Sequence, residues 1–258
     1  MNKNLLKRIV LTSAIAVLGV STSFAALVME RDQSVDTAPS VGMYRFEVPV
    51  ELQGTYNSAG VANLTASMEK EPNTLSMNVA HVKGNPSESY VVEIYKDLAA
   101  IETHRKSDHY QAFVNEVGSK LTNRKMYDVQ SVLLFEKKDA LSIVNDGKAV
   151  VTLTEFTVDS NEIDTVQRQY QLDMERAVRD DAGYKAGYVL RERNAKNRWY
   201  VIQIYSDQEA LTKHLNSPGY RFMMSQIQGS LQGVTTKVLD GDILVNHGCL
   251  LYTSDAAD

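Results

Sequence analysis

The stretch YVVEIYKDLAAIETHRKSDHYQAF (residues 90–113) is answered 110 residues later by YVIQIYSDQEALTKHLNSPGYRF (residues 200–222). Without a gap, Tyr90, Ile94, Tyr95, Asp97, Ala100, His104, Ser107 and Tyr110 meet Tyr200, Ile204, Tyr205, Asp207, Ala210, His214, Ser217 and Tyr220. The same offset sets Phe46 on Phe156, Val48 on Val158 and Leu121 on Leu231. A fixed period over so long a span marks a duplicated structural unit rather than a short motif. The two copies are placed at residues 42–138 and 149–246.

The second copy reads more clearly. AVVTLTEFTV (149–158) alternates as a strand, Asp159 with Glu162 reads as a capping box, and Ile163, Val166, Tyr170, Met174 and Val178 follow at helical spacing. GYKAGYVLRER and RWYVIQIY are β-rich runs joined by the polar NAKN, which predicts a hairpin. Asp207 opens a helix, and Ser217 with Pro218 restarts it. TTKVLDGDILV supplies a last strand. The order β-α-β-β-α-β recurs in the first copy, where Val61, Leu64 and Met68 form the apolar face of the opening helix and Gly60 costs it up to ~1 kcal/mol. The fold class is therefore α+β, two tandem ferredoxin-like repeats with both helices of each on one sheet face. Alternating members of VVEIY and VIQIY make the other face apolar as well. Two such sheets are expected to pack face to face as an intrachain α/β barrel.

The formal charge of −5 and the lack of clustered Lys and Arg exclude a nucleic-acid surface. At the N-terminus, Lys3, Lys7 and Arg8 precede an apolar run, Ile9 to Val20, and then STSFA, which reads as a signal peptide (1–25) cleaved after Ala25. The run is shorter than the ~20 residues that span a bilayer, so a periplasmic or secreted protein with no membrane association after cleavage is expected. The one cysteine, Cys249, opens a terminal CLLYTSDAAD (249–258) that resembles a translated sequencing-adaptor tail, and it is set aside from the fold. The remainder has no thiol for catalysis or metal ligation.

A strand ending in E-I-Y, an aspartate, a helix with A-x-x-x-H, a serine and an aromatic is similar to the antibiotic biosynthesis monooxygenase (ABM) family of the dimeric α/β-barrel superfamily. EPNTLSMNV (71–79) resembles that family's EPG-x-x-x-Y-x-V. The resemblance covers both repeats and implies that a fused pair builds within one chain the barrel that family members make by dimerising. Further oligomerisation is compatible with it. It also implies oxygenation of a quinol, anthrone or related phenolic compound by molecular oxygen, with no cofactor and no metal. A phenolate can itself reduce oxygen, so the protein need only accept a proton, hold the ring in an apolar slot and stabilise the anion. His104 and His214 match the family's helix histidine and are the candidate catalytic residues. Tyr95, Tyr205, Tyr110, Tyr220 and Trp199 are the candidate lining of the slot. Because Ser89 stands where the second repeat has Trp199, an unequal division of work favours the second repeat. The competing expectation is a non-catalytic small-molecule-binding or stress-associated module of the same fold.

Three further readings complete the set. His104 and His109, five residues apart, lie about 140° apart on a continuous helix and are not expected to share a metal. His81 and Arg191, at equivalent strand ends, read as solvated edge residues. The tryptophan and histidine of the superfamily's haem-degrading branch would fall at His104 and His214 and at Val114 and Met224, so haem degradation is disfavoured.

Overall fold

The structure is a computed structural model that describes residues 38–254. The expected signal peptide lies outside the described residues. The first repeat runs β1 (Ser40–Glu47), α1 (Gln53–Lys70), β2 (Thr74–Val82), β3 (Asn85–Tyr95), α2 (Leu98–Lys106), α3 (Asp108–Glu116), β4 (Thr122–Tyr127) and β5 (Val129–Glu136). After β6 (Leu141–Val144), the second repeat gives β7 (Val150–Val158), α4 (Ile163–Asp180), β8 (Tyr184–Glu192), β9 (Arg198–Tyr205), α5 (Gln208–Leu215), α6 (Pro218–Ile227), β10 (Leu231–Asn246) and β11 (Leu251–Thr253). The order is the βαββαβ expected of each copy. Local chemistry explains the helix starts. Asp97 and Asp207 each accept the amide N–H three residues on, from Ala100 and Ala210, at 2.8 Å, and Ser107 and Ser217 cap the restarted helices. Asp159 instead accepts from Asn161 and caps a short 3-10 turn ahead of α4.

The repeats are laced together by their last strands. The first part of β10 pairs with β7 of its own repeat, and its second part, Leu239 to Asn246, pairs with β2 of the other. In the first repeat the same job is split: β4 pairs with β1, and β5 crosses over to β8. The strand order is β11-β5-β8-β9-β7-β10-β2-β3-β1-β4. The ladder does not close on itself. Its two ends are β11 and β4. The sheets nevertheless face each other as expected, with Val92, Ile94, Leu153, Tyr188, Ile202 and Leu244 in one shared apolar core. Helices α1–α3 cover the outer face of the first sheet and α4–α6 that of the second.

Two sequence readings are corrected here. The described part of the terminal segment, up to Ser254, packs on the fold: β11 pairs with β5, and the buried Gln167 donates to the Ser254 carbonyl at 2.7 Å. It occupies on β5 the edge that β6 occupies on β10, again at the repeat offset, because each crossing strand presents an edge that needs a partner. Arg191 is not a solvated edge residue but 1% exposed, opposite Gln130 across the β5–β8 ladder. His81 is partly buried against Asp242 at 2.9 Å, a contact that raises its pKa. Among the described residues no helix is long and apolar enough to cross a membrane.

Candidate functional site in the first repeat

Ser107 shapes the site. Its backbone is extended (φ −69°, ψ 148°), so α2 stops and α3 restarts at a new angle instead of continuing one helix. His104, in the last turn of α2, turns inward beside Tyr95 and Tyr110, with ring centroids at 5.7 and 4.8 Å. The break also brings His109 to within 5.9 Å of His104, ring to ring. The expectation that these two histidines point apart assumed a continuous helix and does not hold. Both reach Glu71, the C-cap of α1: His104 Nδ1 lies 3.1 Å from Oε2, and His109 Nε2 lies 2.7 Å from Oε1. Thr74 Oγ1 donates to the same carboxylate at 2.8 Å.

His104 is 1% exposed, with its Nδ1 held by Glu71 and 3.3 Å from Ser67 Oγ. A carboxylate at Nδ1 fixes the ring proton on that nitrogen and leaves Nε2 as the acceptor. Nε2 has no hydrogen-bond partner among the described residues. His104 also borders a cavity of about 90 Å³ between α1, α2, α3 and the first sheet. Tyr44, Phe46, Tyr56, Leu64, Val79 and Ile243 give that cavity apolar walls; Asn63, Glu93 and Arg105 are polar members of its lining. Asn63 Oδ1 is likewise buried without a partner. Burial raises the pKa of the Glu93 carboxyl, opposed by the Tyr95 hydroxyl, which donates to Oε2 at 3.0 Å. Burial first, and then the neighbouring Glu93, push the Tyr95 hydroxyl well above its usual range. The result is an apolar slot with a proton-accepting nitrogen and a carboxyl that burial biases toward its protonated, donating form.

The second repeat has the same order of elements and bulkier side chains in the corresponding interior. His214 Nδ1 hydrogen-bonds Asp181 at 3.1 Å, while its Nε2 lies 3.3 Å from Asp173 Oδ2, close enough for an ion pair but not aligned as a hydrogen bond, and 3.5 Å from Gln203 Nε2. Asp173 stands where the first repeat has Asn63. Tyr170 replaces Gly60, is 5% exposed and stacks on Phe156 with ring centroids 5.9 Å apart. Trp199 is fully buried in the α4–α6 core, and its Nε1 donates to the Lys196 carbonyl at 2.9 Å. Where Trp199 and Val166 stand in the second repeat, the first has Ser89 and Tyr56, joined by a 3.0 Å hydrogen bond. Tyr205 and Tyr220 pack around His214 with centroids at 5.6 and 5.2 Å.

Of the candidate residues, then, His104, Tyr95 and Tyr110 come together on the cavity, whereas Tyr205 and Tyr220 pack against His214 and Trp199 lies in the core under α4–α6. The sequence reading favours the second repeat, whereas the cavity lies in the first, and the large side chain at 199 fills space instead of lining it. Glu71, Glu93, Asn63 and Gly60 were missed as site residues, although the positions where the two copies differ contained the signal. Gly60 in particular is more than a weak point in α1, since a Cβ there would stand 3.1 Å from Ile243 Cδ1 at the cavity wall. Gly60→Tyr, which copies the second repeat, is expected to weaken binding of small dihydroxyaromatics at least ~10-fold by calorimetric titration. An unchanged affinity would place the ligand elsewhere.

Comparison with known proteins follows the same division. The sequence profile described as antibiotic biosynthesis monooxygenase (ABM) matches residues 41–116 and 149–225. None of the curated proteins matches the chain. Among solved structures, a presumed monooxygenase from Lactobacillus acidophilus NCFM is 19% identical and superposes with a TM-score of 0.77 over 83% of this chain and 99% of its own. A presumed monooxygenase from Fusobacterium nucleatum is 20% identical, with a TM-score of 0.75 over 85% and 100%. An anthrone oxidase-like protein is 12% identical, with a TM-score of 0.50 over 83% and 95%. At these identities the likeness is one of fold. The profile, however, covers more than half of the chain in two blocks set at the repeat spacing, so the chain belongs to the antibiotic biosynthesis monooxygenase family, as two tandem copies of its domain.

Proposed function

We propose that the first repeat is a cofactor-independent oxygenase of a quinol, anthrone or related phenolic compound, in an exported protein, and that the second repeat serves as its structural partner. The observation that carries this reading is the difference between the two copies: His104 has an unpartnered Nε2 and borders a cavity, whereas His214 Nε2 lies 3.3 Å from the carboxylate of Asp173, the residue that stands in place of Asn63. In the proposed reaction His104 Nε2 accepts the substrate's phenolic proton, and Glu71 stabilises the resulting imidazolium from the Nδ1 side. The apolar walls hold the ring and strengthen the electrostatics at its oxygen. Glu93, when protonated, donates a hydrogen bond to the anion. The electron-rich anion then reduces oxygen directly.

The test is oxygen uptake by the mature protein with a panel of hydroquinones and anthrones. The expected result is saturable uptake with at least one of them. Uptake no faster than buffer for the whole panel, together with measurable binding, would favour a binding module that has kept the slot without the chemistry.

A further inference from the structure

We propose that Glu71, His104 and His109 form a binding site for a divalent transition-metal ion of the zinc or cobalt type, on the Nδ1 side of His104. One atom from each residue, a carboxylate oxygen and two imidazole nitrogens, lies within 4.8 Å of the others. An ion ~2.0–2.2 Å from each donor needs only small side-chain adjustments from that arrangement. Two imidazoles and one carboxylate suit zinc, cobalt and nickel rather than magnesium or calcium, which prefer oxygen. His104 is buried and His109 is 13% exposed at its side chain, so the site has a rigid inner ligand and an outer one that reaches solvent.

The second repeat supplies the independent observation. There the equivalent carboxylate, Asp181, and the equivalent serine, Ser217, hold a cation: Arg176 Nη1 donates to both Asp181 oxygens at 3.3 Å, and Nη2 donates to Ser217 Oγ at 3.2 Å. A Cβ on Gly219 would stand 2.2 Å from Arg176 Nε, so a larger residue at 219 would push the arginine from that seat. In the first repeat both positions change together. Ala66 replaces the arginine, and His109 replaces the glycine. The fold thus keeps a place for positive charge beside this carboxylate, and the first repeat furnishes it with two metal-ligating rings. An ion on Nδ1 leaves the remaining proton of the His104 ring on Nε2. A loaded site therefore turns the unpartnered Nε2 from a proton acceptor into a donor, a consequence that rests on the oxygenase reading, whereas the site itself does not.

The experiment is calorimetric titration of metal-free protein with Zn²⁺, paired with the visible spectrum of added Co²⁺, on wild type, His109→Ala and His214→Ala. The expected result is one equivalent bound, weakened at least ~10-fold by His109→Ala and unchanged by His214→Ala, with the cobalt bands lost in the former alone. His109 lies outside the core, so its variant keeps the fold, which far-UV circular dichroism checks. No saturable binding, or equal binding by wild type and His109→Ala, overturns the proposal and leaves the three residues as a hydrogen-bonded cluster. Because the readout is binding, it fails or succeeds separately from oxygen uptake.

Discussion

His104→Gln is expected to lower turnover by ~10²–10⁴-fold with little change in melting temperature, whereas His214→Gln is expected to lower stability and spare turnover per folded molecule. At His104 the variant removes the unpartnered acceptor Nε2, yet Glu71 keeps His109 and Thr74 as partners, so no carboxylate is stranded. At His214 it takes the ring from between Asp173 and Asp181, which are 4% exposed and partly buried, respectively. Arg176 still reaches both carboxylates, at 2.9 and 3.3 Å, and limits the damage. Breaking such a buried pair costs about 3 kcal/mol, or roughly 6–12 °C in melting temperature for a domain of this size. Oxygen uptake normalised to folded protein, with thermal melts of both variants, separates the two effects. Equal loss of turnover in both would sink the division of labour, and full activity in His104→Gln would remove the base.

Glu136→Gln is expected to flatten the dependence of stability on pH between about 4.5 and 7. Glu136 lies at the junction of the repeats, 3% exposed, and accepts a 2.7 Å hydrogen bond from Tyr188, whose hydroxyl is 3.0 Å from Ser76 Oγ across the shared core. Burial pushes its carboxyl up to about 7, with the Tyr188 hydrogen bond opposing the shift. The folded protein therefore keeps this proton where the unfolded chain, titrating near 4.5, has released it. Stability is full below about 4.5, falls as pH rises toward 7 and levels off above it, a loss of about 3 kcal/mol at ~1.4 kcal/mol per pH unit. Glutamine keeps an oxygen for Tyr188 and has no proton to lose. Denaturant melts from pH 4.5 to 8 should show the wild-type curve falling relative to the variant, and two parallel curves would show that Glu136 titrates normally.

What could be read in the sequence, and what could not, divides along physical lines. The repeat, the order of elements and the caps at Asp97, Asp207, Ser107 and Ser217 depend on local spacing, which a sequence displays. The helix break was visible too, since Ser107 was recognised as a restart signal in its copy at Ser217. Its geometric consequence for His109 was not, because the angle between two helical pieces is set by packing rather than by spacing. The crossing of β5 and β10 between repeats was hidden for a similar reason: an apolar strand reads the same whichever sheet it joins. The site was half legible. Matching residues identified the histidines, but the features that separate a cavity from a core are the mismatches, such as Gly60 against Tyr170 and Asn63 against Asp173. Those carry meaning only once the neighbours of each residue are known.

The exchange of last strands also governs how the chain can be made. Ser76 on β2 bonds the Val245 carbonyl, 169 residues further along. The helical layer of the first repeat counts Ile243 and Val245 in its apolar core. A ribosome that has finished the first repeat has therefore not yet made the strand that seals it, and the edge of β2 must wait, open, for the end of synthesis. Long-range pairings of this kind slow folding and expose unpaired edges in the interval. The halves are not separable domains: cut between residues 138 and 149, each would keep its helices and lose a strand.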